Sequence, residues 1–479
     1  MKNITNCKKG FLLWPVMVAV FIAVLLLGGL SIWLAGDINL TNRAIAREEA
    51  LRIAEAGIDY YLWRLSGSPE DYLTNPGPIH QEFMDDGIEK GFFNLEIIPP
   101  SSGSSAIKLR SQGVSYLRER EVKRTIEVVF GVPSLARYAV LSDSTMRFYE
   151  GAEIFGPIHS NDGIRFDGIA HGLVSSAVAN YSDPDHGGGK EFGVHTHVYP
   201  VDPLPPAEVP LRPDVFKAGR QFPVPAVDFS DIISDMAIMK TKAQNGGHYI
   251  DSSGESGYRI FLKEDNSYDL FKVTNLTSLP SQCNNNRGQS GWGSWSIAPG
   301  GEEFLDNFSL PDNSLIFVED DVWVEGKIDK ARITIVAGRF PEAPAKWAQI
   351  TVNNNLLYTN YDGQDLISLI AQGNINTGWE SADNLRIDAV LVSQNGRVGQ
   401  YYFKPPSQAA VYCGPHHIKD KILIYGMVIS KDRYGFSYTD GTGYQIREIH
   451  YDNNLFYNPP SFLIPSDGYY GIISWREVK

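Results

Sequence analysis

Acidic and imidazole side chains that recur within a few residues are the first candidates for chemistry in this sequence. Glu319, Asp320 and Asp321 stand in succession, and two carboxylates flanking a bond are what glycoside or polysaccharide cleavage requires. The same cluster also reads as a solvated turn between two strands. His195 and His197 alternate in GVHTHVY, so on a strand both imidazoles project from one face, as two metal ligands do. The sequence identifies no third ligand for them, and core or surface histidines account for most such pairs. His416 and His417 are adjacent and point apart if extended. Asp183, Asp185 and His186 in SDPDHGGGK suggest a calcium loop, but the EF-hand spacing is missing. None of these sets is assigned as a catalytic, cofactor or metal site.

Nucleophile elbows, Walker loops, dinucleotide fingerprints, H-E-x-x-H and kinase signatures are all missing from the sequence; that absence does not exclude an enzyme, and the chain is read as non-enzymatic with a membrane-tethered polysaccharide-active enzyme as the lesser alternative. Cys7, Cys283 and Cys413 form no C-x-x-C pair, which excludes the common thiolate zinc site. A formal charge of −14 and the lack of a long basic run argue against nucleic acid as a partner.

The elements that would carry such residues begin with KKGFLLWPVMVAVFIAVLLLGGLSIWLAGD, which has no charge between Lys9 and Asp37. Residues 11–36 are long enough to cross a hydrocarbon core of about 30 Å. Lys2, Lys8 and Lys9 precede the run and Asp37 follows it, so the positive-inside tendency places the amino terminus in the cytoplasm and the bulk outside. A secretory signal has a shorter apolar core. Here the run leads directly into NRAIAREEALRIAEAGIDYYLWRL, residues 42–65, where Leu51, Ala54, Ile58, Leu62 and Leu65 recur at helical spacing. One helix over residues 11–65 is expected.

A basic leader ending in Gly10, an aromatic Phe11, a long apolar helix and the EEALRIAEAGI segment together resemble the amino termini of type IV pilin-like proteins, in particular PilX-like minor pilins and pseudopilins. The resemblance covers about the first 65 residues. It implies a leader (residues 1–10) cut between Gly10 and Phe11 by a prepilin peptidase, and a retained helix that both anchors the chain in the membrane and packs against other pilin-like subunits. Major pilins carry a glutamate at the fifth mature position. Here that position is Pro15, and family members lacking the glutamate tend to sit at filament tips. Proline is tolerated in a first helical turn, while Gly28 and Gly29 either loosen the helix or form a helix-packing surface. With Cys7 in the leader, Cys283 and Cys413 become an even pair in an exported region. They form a disulfide or stay as two buried thiols.

Beyond the turn-rich residues 66–78, strand-like runs near 91–99, 106–115 and 121–131 predict an antiparallel meander, so that residues 66–132 form a small pilin-like head of α+β class with the long helix. Residues 133–479 are expected to form a large outward β-rich domain. Runs at 155–168, 314–328, 331–338, 365–376, 385–396 and 421–430 are short, apolar and closed by turn residues, which suits a β-solenoid, with a β-sandwich as the alternative. Residues 199–229 are proline-rich and read as an extended surface strap or a linker, and residues 232–244 as a short helix. Trp292, Trp295 and Tyr401 are the aromatics through which an anchored adhesin would contact surface glycans.

Overall fold

The computed structural model describes residues 13–68, 71–74, 77–100, 106–118, 120–131, 135–230, 236–406, 412–460 and 471–478. The processing position at Gly10 and Phe11 lies outside the described residues. A long N-terminal helix is followed by mostly β structure in several sheets. The chain divides into two compact units, Met1–Pro99 with Ile107–Phe130 and Ile472–Lys479, and Pro100–Ala106 with Gly131–Gly471.

In the first unit the helix Leu13–Gly67 runs for 55 residues, about 80 Å at 1.5 Å per residue. Trp14 to Thr41 are exposed on every side. From Ala46 the helix turns a face inward, burying Ala46, Ala50, Ile53, Ala54, Ile58, Tyr61 and Leu65. Of the expected apolar stripe, Leu51 and Leu62 are only partly buried. Small residues take their place because the helix lies directly on strand backbone. A Cβ on Gly113 would stand 2.0 Å from the Ala50 carbonyl oxygen and 2.4 Å from Ala54 N, and Ser115 Oγ donates to the Ala46 carbonyl at 2.6 Å.

The strands Ile79–Asp85, Ile88–Ile98, Ile107–Leu117 and Arg120–Gly131 form an antiparallel meander in sequence order. Phe93, Leu95 and Ile97 alternate inward on one strand, and Ile126, Val128 and Phe130 on another, the two-residue period of a half-buried sheet. The fifth strand of this sheet is Gly471–Val478, beside Arg120–Gly131. The sequence pattern kept residues 133–479 together. The terminal strand departs from that grouping because its partner lies more than 300 residues away, a pairing that local pattern does not encode. It is held by Arg476 Nε donating at 3.0 Å to Glu127 and by Arg124 Nη2 donating at 2.6 Å to Glu477.

In the second unit, short strands stack as parallel ladders. One ladder runs Arg220–Gln221, Val174–Ser176, Ile158–Ser160, Val140–Ser142, then the ends of Ile418–Ser430 and Asn384–Ser393, then Leu366–Ala371, Arg332–Ala337, Leu315–Val318 and His248–Ile250. A second runs from Gly257–Leu262 and Val322–Ile328 through Leu356–Tyr358 to Gly443–Tyr451, Ala152–Phe155 and Ile169–Ala170. A shorter third joins Met146–Phe148, Ile164–Phe166 and Val194–His195. The chain therefore enters the first ladder in its middle, winds out to Arg220–Gln221, crosses to the other end at His248–Ile250, and winds back until Ile418–Ser430 pairs with Val140–Ser142.

The crossing segment covers the ladder as it goes. Val140, Ile316, Ile335, Leu369 and Val428 point into the main core. Leu141, Phe317, Val336, Ile370 and Ile429, on the opposite side of the same strands, pack against Val227, Phe229 and the helix Met236–Gln244. Parallel strands buried on both faces lose polar alternation, which is why LISLIA at Leu366–Ala371 is buried throughout.

Candidate functional site

Two regions carry the candidate residues, the apolar half of the long helix and one loop of the second unit. The helix is long and apolar enough to cross a membrane by length and composition. Its apolar part is exposed, with Trp14 at 76% and Leu30 at 62%.

The loop lies between Val174–Ser176 and Val194–His195. Asn180–Tyr181 pairs antiparallel with Glu191–Phe192, and Val194–His195 lies parallel to Ile164–Phe166, with His195 opposite Arg165. His197 falls just past that strand, where its backbone N–H donates to Asp167 at 2.8 Å. The fold nevertheless brings the two imidazoles together, ring centres 5.1 Å apart. His195 is fully buried, and its Nε2 stands 3.6 Å from Asp183 Oδ2, too far for a hydrogen bond. Both ring nitrogens of His195, Nε2 of His197 and Oδ2 of Asp183 are buried without a hydrogen-bond partner.

The remaining residues of this loop separate into different roles. Asp185, grouped with Asp183 in the sequence reading, is taken by Arg433 and by Arg147 at 3.4 Å. His186 turns to Glu191, Nδ1 to Oε1 3.0 Å, and His197 Nε2 lies 3.4 Å from the same oxygen. Glu191 is the member that sequence reasoning missed. Its proximity in KEFGVHTH was a signal, but only the hairpin turns its carboxylate toward the histidines.

Burial pushes the Asp183 carboxyl up, but the facing His195 and the backbone N–H of Asp185 outweigh it and leave the group well below the usual carboxylate range. Burial, then the fields of Arg165 and His195, lower the His197 pKa. The two shifts favour an ionised Asp183 carboxylate and a neutral His197 imidazole.

The other candidates are engaged elsewhere. Glu319, Asp320 and Asp321 form the turn between Leu315–Val318 and Val322–Ile328, but it is not the solvated turn expected, since Asp320 is 1% exposed. Glu319 accepts from Lys240 Nζ at 2.8 Å and from the Tyr249 hydroxyl. Asp320 and Asp321 share Arg339, with Asp321 Oδ2 at 2.9 Å. No facing, unoccupied acid pair of the kind that glycoside cleavage needs is made by these three. The His416 ring packs edge-on against Trp379 at 4.8 Å.

Cys283 and Cys413 are joined, Cα atoms 4.7 Å apart. Tyr401, Phe403 and Trp379 are buried around them, with Trp292 and Trp295 packed against the cluster. Tyr401 therefore offers no exposed face for a glycan, in contrast to its sequence reading, because it belongs to the packing around the disulfide. Trp292 Nε1 donates to the Tyr402 carbonyl at 3.0 Å and Trp295 Nε1 to the Gly291 carbonyl at 2.9 Å.

No family model matches the sequence, and no curated protein matches it. Among solved structures, the crystal structure of the competence-associated pilin ComZ from Thermus thermophilus is similar with a TM-score of 0.32 and 13% identity, over 90% of this chain and 97% of that one. A likeness this slight carries neither fold nor function over to the present chain.

Proposed function

We propose that this chain is a membrane-inserted structural subunit of a type IV pilus or related secretion filament, of the minor pilin or pseudopilin kind and PilX-like in its amino terminus. The observation that carries this reading is the division of the helix Leu13–Gly67. Its first half is apolar and exposed, and its second half is the packed spine of an antiparallel sheet. An anchor alone needs about 20 apolar residues and no continuation into a folded unit. An apolar helix surface exposed on every side needs lipid or other helices to cover it, and a filament precursor requires each in turn.

In this reading a prepilin peptidase cuts between Gly10 and Phe11, the amino terminus begins in the cytoplasm, and the remainder is exported. The parallel ladders of the second unit are coils of a β-solenoid, stiffened by inward side chains that stack from rung to rung. Pro15 in place of a docking carboxylate, and the bulk of the exported region, favour a tip or initiating subunit in few copies.

Mass spectrometry of membrane-extracted protein, made with and without the peptidase, tests the assignment. A mature chain beginning at Phe11 only when the peptidase is present is expected, and one beginning beyond Gly36 would overturn it. Quantitative labelling of isolated filaments tests the position separately, since regular incorporation along the shaft would reject the tip while leaving the subunit assignment standing.

A further inference from the structure

We propose that Asp183, His195 and His197 bind one divalent transition-metal ion, zinc by the character of the donors. Their ligand atoms all lie within 4.8 Å of one another. Zinc bound to nitrogen and oxygen at about 2.0–2.2 Å separates tetrahedral ligands by roughly 3.3–3.5 Å, so the 3.6 Å between His195 Nε2 and Asp183 Oδ2 needs little contraction.

The second observation is the lack of partners. Buried polar groups in native proteins are nearly always hydrogen-bonded. Here Asp183 Oδ2, His197 Nε2 and both nitrogens of a fully buried His195 all lack a bond, and these donors converge on one place. A cation there would satisfy Asp183 Oδ2, His197 Nε2 and one of the two His195 nitrogens together. Two imidazoles with one carboxylate suit zinc, with a coordination position left open, or a non-haem ferrous ion. Calcium, which takes oxygen ligands, is a poor match.

Two neighbours compete with this assignment. Arg165 Nη1 lies 3.5 Å from Asp183 Oδ2, but its Nε is committed to Asp167 at 2.7 Å, which leaves the guanidinium a firm second partner. His186 and Glu191 form an overlapping set through His197. In that set His186 is exposed and already bonded to Glu191, so the set lacks the unmet demand seen at His195. A bound ion would tie the Asp183 loop to the His195 strand, and the site is independent of the filament reading.

The test uses full-length protein in detergent, stripped with a chelator and titrated with Zn2+ by calorimetry and with Co2+ by visible spectroscopy. One equivalent of Zn2+ and the visible absorption of four-coordinate Co2+ are expected. Asp183→Asn and His197→Gln should each weaken Zn2+ binding at least tenfold, and His186→Ala should leave it unchanged within twofold. Melting of the metal-free variants, alongside metal-free wild type, separates lost ligation from lost folding. Failure of the wild-type chain to bind a stoichiometric ion overturns the site. So does binding that survives Asp183→Asn and disappears in His186→Ala, since the ion would then belong to Glu191.

Discussion

The closest approach between helix and sheet in the first unit can be loaded with a single methyl group. Gly113 has no side chain, and a Cβ there would come to 2.0 Å from the Ala50 carbonyl oxygen and 2.4 Å from Ala54 N. Ordinary contact begins near 3.4 Å, about 1.0–1.4 Å farther than these approaches, so Gly113→Ala must push the helix outward. A radial gap of 0.5–1 Å forfeits a quarter to a half of each dispersion contact, here along Ile53, Ile58 and Tyr61. Overpacking of this kind costs about 1–3 kcal/mol, set against a gain of about 0.4–1 kcal/mol from stiffening the unfolded chain. Because the chain holds two compact units, one midpoint for the whole chain is a poor probe. Hydrogen exchange of the helix amides at 46–65 reads the local opening directly. At tenfold per 1.4 kcal/mol, a net loss of about 1–2 kcal/mol accelerates exchange roughly 5- to 30-fold. Gly67→Ala, where nothing lies within 4 Å of the added carbon, should have almost no effect. Equal exchange in Gly113→Ala and wild type would refute the direct seating of helix on strand backbone.

Two further outcomes follow from buried charge and from the cross-link. Burial raises the Glu127 carboxyl pKa, but hydrogen bonds from Arg476 and Arg110 outweigh it and leave the group below its usual value. Its contribution is therefore present above the unfolded value of about 4.3 and is lost as pH falls below it. Exchange protection of the strand Gly471–Val478 should drop across that acid window in wild type and vary less with pH in Glu127→Gln, and parallel profiles would dismiss the role of Glu127. The bond between Cys283 and Cys413 closes a separation of 130 residues, for which chain entropy alone gives about 5 kcal/mol. Replacing both with serine should lower the unfolding midpoint of the second unit, and recovery of both as free thiols under non-reducing mass spectrometry would sink the assignment.

Local signals survive folding and long-range ones do not. The charge-free run to Gly36 and the 3.6-residue period after it made the helix legible, and Ala54, Ile58 and Leu65 of the expected stripe are buried, but the same face also uses Ala46, Ala50 and Gly57, which hydropathy patterns pass over. The β-branched runs at 314–328 and 365–376 marked real strands, whereas their parallel partners depend on coils tens of residues apart. The candidate cluster was visible only in pieces. Asp183, His195 and His197 were each singled out, but their convergence needs the hairpin Asn180–Tyr181 with Glu191–Phe192. The acids at Glu319 to Asp321 looked free because Lys240 and Arg339 are supplied from elsewhere in the chain.

The winding order of the second unit follows from where its chain begins and ends. Arg120–Gly131 and Gly471–Val478 are neighbours in one sheet, so the intervening chain is an insertion between two adjacent strands, and insertion of a folded unit is tolerated where its ends lie close together. A ladder of ten strands entered at one end and left at the other would separate those ends by nine spacings, about 43 Å at 4.8 Å each. Entering at Val140–Ser142, winding outward, crossing, and winding back until Ile418–Ser430 lies alongside brings the ends together without a long return. Residues 222–247 make the crossing, and about 13 fully extended residues would span the distance at 3.3 Å each. The surplus is taken up in the helix Met236–Gln244, whose Met236, Met239 and Ala243 cover Phe317, Val336 and Ile370. Those outward apolar residues would otherwise face water, so the segment that closes the topology also buries the ladder's second face.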